Sequence, residues 1–163
     1  MRRVLFALCL CLGSAVHGQI IVEGESIECF GGRLHLLENE DIFAFDLAKV
    51  QDLDAVIQQI KSYQGEDDPG GQKIDEYYAR LGRLVKNSEK LQTTKTGKLG
   101  RFTLRIEKPV QDLLLVAYSV SPEESYEVSF SSVYAKINGA SRVMVVLGWE
   151  DGDCMVVQRV RPR

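Results

Sequence analysis

Histidine is nearly absent from this chain. It has two in 163 residues, His17 and His35. Nucleophilic catalysis needs a base within hydrogen-bond reach of its nucleophile, usually held by a third group. His35 stands between Leu34 and Leu36, and no catalytic motif surrounds any serine. A pair with Cys29 is the one arrangement to weigh; a packed or solvated strand histidine is the favoured reading. Cysteine is scarce too, with four in all. Structural and catalytic zinc sites want clustered Cys and His, which this spacing does not offer. The phosphate-cradling glycine patterns are also missing. Gly97-Lys98-Leu99-Gly100 has neither the spacing nor the following helix of such a loop. No catalytic, cofactor or metal residue is therefore assigned. The acidic clusters Glu38-Asn39-Glu40-Asp41, Glu66-Asp67-Asp68 and Glu150-Asp151-Gly152-Asp153 fit no calcium-loop register and read as solvated turns.

Long apolar runs are missing as well, with one short exception. Met1-Arg2-Arg3 precedes an apolar stretch from Val4 to Leu12, and small residues follow at Gly13, Ser14 and Ala15. A basic start, a short apolar centre and a small-residue exit describe a secretory signal peptide. The stretch is too short to span a bilayer. Val16 and Gly18 suit the −3 and −1 positions, so residues 1–18 are expected to be removed and the mature chain to start at Gln19. An uncleaved anchor and a buried N-terminal strand are the alternatives. Cys9 and Cys11 each follow a leucine, which argues against lipidation. The expected location is secreted or periplasmic. Loss of Arg2 and Arg3 would take the formal charge from −3 to −5. An acidic chain argues against a nucleic-acid partner. No later stretch is apolar enough for a transmembrane helix.

Cleavage would leave two cysteines, Cys29 and Cys154. In an oxidising compartment the pair suggests one disulfide clipping the first strand region to the last. A loop of that length would contribute on the order of 4–5 kcal/mol in the chain-entropy model. Two buried free thiols are the alternative. No Asn-x-Ser/Thr acceptor occurs, since Asn39, Asn87 and Asn138 all lack the hydroxyl residue.

What the chain does have is organised around Thr94 to Tyr118. Gly97 and Gly100 punctuate a turn that calls for positive φ. From Arg101 the period is two: Phe102, Leu104 and Ile106 on one face, Arg101, Thr103, Arg105 and Glu107 on the other. Pro109 ends that strand. Leu113 to Tyr118 is apolar throughout, as a strand buried on both faces must be. One face can rest on a second sheet, and the other needs helices.

The helices are expected upstream. Asp46 suits an N-cap, and Leu47, Val50, Leu53, Val56, Ile57 and Ile60 form one stripe running to about Tyr63. After the loop GEDDPGG at residues 65–71, a second stripe runs Ile74, Tyr77, Tyr78, Leu81, Leu84, Val85 and Leu91. The pair Tyr77-Tyr78 reads as packing. β-prone pieces flank this hairpin: Ile20 to Val22, Ile27 to Phe30, Arg33 to Leu37 and Ile42 to Phe45. Tyr126, Val128 and Phe130 alternate, and so do Val133, Ala135 and Ile137 in the opposite parity. A bulge at Ser131-Ser132 would bring both sets to one side. Asn138-Gly139 signals a hairpin returning through Val143 to Trp149. Asp151-Gly152 is the next turn, Met155 to Val160 the last strand, and Arg161-Pro162-Arg163 a frayed tail.

The expected fold is mainly β: a Greek-key β-sandwich with an inserted two-helix hairpin, α+β in class. It comprises one domain over residues 19–163, with the insertion at about 46–92.

Thr93 to Tyr118 resembles a carboxypeptidase regulatory-like domain, a module of the transthyretin-like β-sandwich type. The match lies in Thr94 or Thr96, Gly100, Phe102, Leu104, Pro109 and Leu113 to Ala117. Gly24 and Gly32, followed by Leu34 to Leu37, resemble the module's opening strands. Two positions depart from the family: Lys95 or Lys98 stands where it has Asp, and Val110 where glycine follows the proline. The matching stretch covers about one-sixth of the chain. The resemblance implies a structural or interaction role, accessory to enzymes or envelope machinery, with no catalytic residues.

Function then follows by elimination and by surface. The leading expectation is an exported, non-enzymatic interaction or structural module whose partner is another exported or envelope protein. Trp149 and Tyr126 are candidate partner contacts, although core packing suits each of them as well. Edge strands offer a second route to a partner. The alternatives are a small secreted hydrolase using Glu150, Asp151 and Asp153, and a secreted protease inhibitor presenting Ser119 to Ser125.

Overall fold

Leu113 to Ala117 have no solvent exposure at all, and the rest of the molecule explains why. The computed structural model describes residues 19–30, 33–63, 72–120, 128–150 and 159–162. Its strands are β1 (Ile20–Phe30), β2 (Arg33–Leu36), β3 (Asp41–Asp46), β4 (Gln92–Lys95), β5 (Arg101–Ile106), β6 (Asp112–Val120), β7 (Val128–Lys136), β8 (Arg142–Glu150) and β9 (Arg159–Pro162). Two α-helices, α1 (Gln51–Tyr63) and α2 (Gln72–Asn87), lie between β3 and β4.

The strands form two sheets. One has the order β2-β1-β8-β9, with β5 also paired to β1; the other runs β4-β3-β6-β7. β1 and β8 are parallel, Val22 beside Val143 and Gly24 beside Val145. β1 is long enough to take two antiparallel neighbours on its other edge. Residues 20–25 pair with β5, and residues 27–30 pair with β2.

Alternation along each strand sorts the side chains into two cores. Leu113, Leu115 and Ala117 of β6 point into the sandwich. There they join Ile42, Ala44, Val133, Ala135 and, from the facing sheet, Val22, Phe102, Leu104, Val143, Val145 and Leu147. Leu114 and Val116 point the other way, with Phe45 and Phe130, into Leu53, Val56, Ile57 and Ile60 of α1 and Leu81 and Val85 of α2. The layers are therefore sheet, sheet, helix pair. A strand in the middle layer has no wet face, which is why β6 is apolar at successive positions.

Several expectations are corrected. Asp46 does cap a helix, accepting from the Ala48 amide at 3.2 Å, but that helix is a single 3-10 turn, Leu47–Lys49, and α1 starts at Gln51. Leu91 lies beyond α2 and packs on the sandwich core. Positive φ falls on Leu99 and Gly100, whereas Gly97 is extended. No bulge interrupts β7: its register with β6 runs unbroken from Asp112–Lys136 to Val120–Val128. The change of parity is real, but it means opposite faces. Phe130 faces the helices, edge-on to Tyr78 at 5.9 Å, while Val133 and Ala135 face the sandwich. Asn138 and Gly139 both have positive φ, and the Ala140 amide closes the turn on Ile137 at 2.7 Å. The turn makes no hairpin, because β7 pairs with β6 and β8 with β1, so the chain crosses between sheets there. Arg161 and Pro162 are paired to Met144 and Val143 rather than frayed.

Candidate functional site

Five strands bear a sheet edge among the described residues, and they differ in what they present. β9 carries Pro162 and an exposed Arg161; β4 is Gln-Thr-Thr-Lys; β5 exposes Arg101, Thr103 and Arg105. Proline and long charged side chains are the usual protection against unwanted pairing. β7 has its Tyr134 and its Ser132 carbonyl engaged by α1. β2 is the exception. All four of its residues are exposed, and Leu34 and Leu36 are 66% and 43% accessible. The remaining exposed large apolar side chain among the described residues is Leu99, at 53%, in the turn before β5. It abuts the end of β2: the Leu99 amide donates to Glu38 Oε1 at 3.1 Å.

The backbone of β2 is presented as well. The Leu37 amide donates to the Ser26 carbonyl at 3.0 Å, extending the β1–β2 ladder. In an antiparallel pair, backbone groups alternate inward and outward. Arg33, His35 and Leu37 therefore turn theirs to β1, and Leu34 and Leu36 turn theirs away from the sheet. The same two leucines lie with Ile27 on the outer sheet face, where Ile27 is the cross-strand partner of Leu36. Further along, that face is salt-bridged, Arg101 to Glu25 at 3.1 Å and Arg142 to Glu23 at 3.6 Å. Among the described residues, the exposed large apolar side chains of this sheet's strands are thus Leu34 and Leu36, at the β2 end.

Behind this edge is a buried polar tie. The Ser26 hydroxyl donates to the Glu40 carboxyl, and the Glu40 amide donates to Thr96 Oγ at 2.9 Å. All three residues are buried. Burial pushes the Glu40 carboxyl above the usual carboxylate range; the Ser26 hydrogen bond opposes this, and Glu28 and Asp41 add to the rise. Glu40 is thus no part of a solvated turn. It joins β1 in one sheet to the start of β3 and the end of β4 in the other.

A second polar cluster ties α1 to β7. The Tyr134 hydroxyl donates to Asp54 Oδ1 at 2.6 Å, and Gln58 donates to the Tyr134 oxygen at 2.7 Å. Burial, then Asp54, raise the Tyr134 pKa. Lys61 sits over the Tyr134 ring and donates to the Ser132 carbonyl at 3.4 Å; burial lowers its pKa and Asp54 opposes that. Ser132 is fully buried, and its hydroxyl has no hydrogen-bond partner among the described residues.

An open cleft of about 640 Å³ lies between the β3–α1 turn and the β5–β6 turn, with Asp46, Gln51, Asp54, Pro109, Gln111 and Asp112 among its lining. Among the described residues its lining holds carboxylates and amides but no histidine, cysteine or serine. Among the described residues no group of three or more His, Cys, Asp or Glu is placed to hold a metal. Nor is any helix there long and apolar enough to cross a membrane.

The residues singled out from sequence fall mostly elsewhere. Tyr126, Cys154, Asp151 and Asp153 lie outside the described residues, as do residues 1–18 and the loop at 121–125. For Trp149, Cys29 and Glu150 only the backbone is described: Trp149 runs beside Glu28, and Cys29 beside Glu150 on one side and Leu34 on the other. β2 was legible as a strand, but its exposure was not. An alternating leucine pair carries no sign of which face is wet.

No family model matches the chain, and no curated protein matches it. Among solved structures, a candidate carbohydrate-binding protein from Pseudomonas aeruginosa aligns with TM-score 0.46 and 11% identity, over 84% of this chain and 92% of its own. The shaft pilin SpaA of Lactobacillus rhamnosus GG aligns with TM-score 0.39 and 12% identity over 80% of this chain, which spans 48% of the pilin. At these values neither assigns a property to this chain.

Proposed function

We propose that this chain is an exported, non-enzymatic β-sandwich module with a structural or protein-interaction role, which takes its partner along the β2 edge. The observation that carries the reading is the exposure of Leu34 and Leu36 on a strand whose outer backbone groups face away from the sheet. An extended segment added there would gain main-chain hydrogen bonds and cover two leucines, the usual chemistry of strand addition. The resemblance of Thr93 to Tyr118 to carboxypeptidase regulatory-like domains points to the same accessory role. Export rests on the leader-like residues 1–18 and makes an exported or envelope protein the partner.

The test is cross-linked capture from the native exported fraction, with wild type beside a Leu34→Lys/Leu36→Lys variant. A reproducible protein bound by wild type and lost from the variant is the expected result. Identical captures from both would remove the edge from the reading, and no protein partner at all would favour a small-molecule or glycan ligand.

A further inference from the structure

We infer that β2 pairs antiparallel with β2 of a second copy of this chain, centred on His35, so that two five-stranded sheets become continuous across a two-fold axis. The inference rests on the edge reading above and deepens it.

The register follows from the backbone. Outward groups belong to Leu34 and Leu36, so these residues must lie opposite one another in any strand pair. Placing Leu34 opposite Leu36 of the second copy uses all the outward groups of both strands and gives four hydrogen bonds. Slipping by two residues in either direction leaves one reciprocal pair, and slipping by one turns inward groups outward. Directly opposed residues share a face. The central register therefore gathers four leucines on the outer sheet face, flanked by Ile27 of each copy.

The polar residues divide between the two faces. Arg33 begins β2 and Glu38 follows its other end. In this register Arg33 of each copy lies opposite Leu37 of the other, on the His35 face, and Glu38 falls on the leucine face. On the opposite face the two His35 rings meet at the axis, and each is the cross-strand neighbour of its own Glu28. Along that face the row reads Glu28, His35, His35 and Glu28 of the two copies. A strand that is complementary to itself in hydrogen bonds and apolar contact forms an isologous contact, which closes at two copies.

The experiment is sedimentation velocity of the processed protein over a concentration series, together with Leu34→Lys/Leu36→Lys and, separately, His35→Cys. The expected result is a concentration-dependent dimer, weakened about 100-fold or more in the double-lysine variant, as the loss of the leucine contacts requires. Circular dichroism of that variant should be unchanged. His35→Cys should give a residue 35 to residue 35 disulfide between copies under mild oxidation, identified by peptide mass spectrometry. Leu34→Cys, whose counterpart is Leu36, should give far less. A monomer at every concentration, or a dimer that survives the double substitution, overturns the inference. If the chain is monomeric but the double-lysine variant loses a captured exported protein, the edge reading stands and self-pairing fails. If it is monomeric and loses no captured protein, both fail.

Discussion

Tyr134 on β7 donates its hydroxyl proton to Asp54 on α1 at 2.6 Å, across 80 positions of sequence. The bond fastens the helical layer to the edge of the sheet it covers. A hydrogen bond to a charged acceptor contributes about 1.5–3 kcal/mol. Tyr134→Phe should therefore lower unfolding free energy by about that much. A double-mutant cycle with Asp54→Asn should recover a coupling of about 1 kcal/mol or more in urea denaturation. Additive single effects would mean that the contact is not formed in solution.

Glu40 gives the fold a pH dependence of unusual sign. Its carboxyl lies above the usual range because of burial, against the Ser26 hydrogen bond and with help from Glu28 and Asp41. A folded pKa above the unfolded value means the neutral form suits the fold. The contribution is full below the unfolded value of 4.5 and is lost as pH rises through the folded one. Glu40→Gln, which keeps a neutral group of the same shape, should track wild type near pH 4. It should gain on wild type toward neutrality, in proportion to the gap between the folded and unfolded pKa values. A stability difference that stays flat between pH 4 and 7 would place Glu40 in water.

Two glycines at positive φ separate backbone strain from space. At Gly100, φ is +63° and a Cβ would lie 2.5 Å from the Ser26 carbonyl oxygen and 3.2 Å from the Leu37 amide. At Gly139, φ is +78° and nothing lies within 4 Å. Gly139→Ala should cost only the left-handed penalty, about 1–2 kcal/mol. Gly100→Ala adds a collision with backbone and should cost clearly more, or shift the β2 end. Equal melting temperatures for the two variants would contradict the packing of the Gly97–Arg101 turn against β1 and β2.

The Cys29–Cys154 disulfide remains a proposal that peptide mapping without reduction can decide. If it forms, reduction or Cys29→Ser should lower stability by about 4–5 kcal/mol, less any strain in the bridge. A free thiol count of two in the processed protein would exclude it.

How much of this was legible depended on whether a position reports its own surroundings. β5 was, because Phe102, Leu104 and Ile106 alternate with arginine and threonine and the strand has one wet face. β6 was, because only burial on two sides explains successive apolar residues from Leu113. β7 misled for the same physical reason. It too is buried on both faces, so a change of parity at Ser131-Ser132 looked like a bulge when each set simply met a different core. Asn138-Gly139 reported its own backbone correctly but could not report which sheet the next strand joins. β4 was missed because Gln-Thr-Thr-Lys has no apolar face. Glu40 was misplaced among its acidic neighbours, since its burial depends on Ser26 and Thr96, far away in sequence. The edge site was hidden because exposure of Leu34 and Leu36 is a property of the assembled sheet.

The outward amides of β2 carry the central claim, and residue-resolved hydrogen–deuterium exchange reads them. In dilute processed protein, Leu34 and Leu36 should exchange fast while His35, bonded toward β1, exchanges slowly. When the protein is concentrated or partner-bound, those two amides should become protected with little change elsewhere. Protection of Leu34 and Leu36 already present in the dilute monomer, or protection gained at another surface instead, would contradict it.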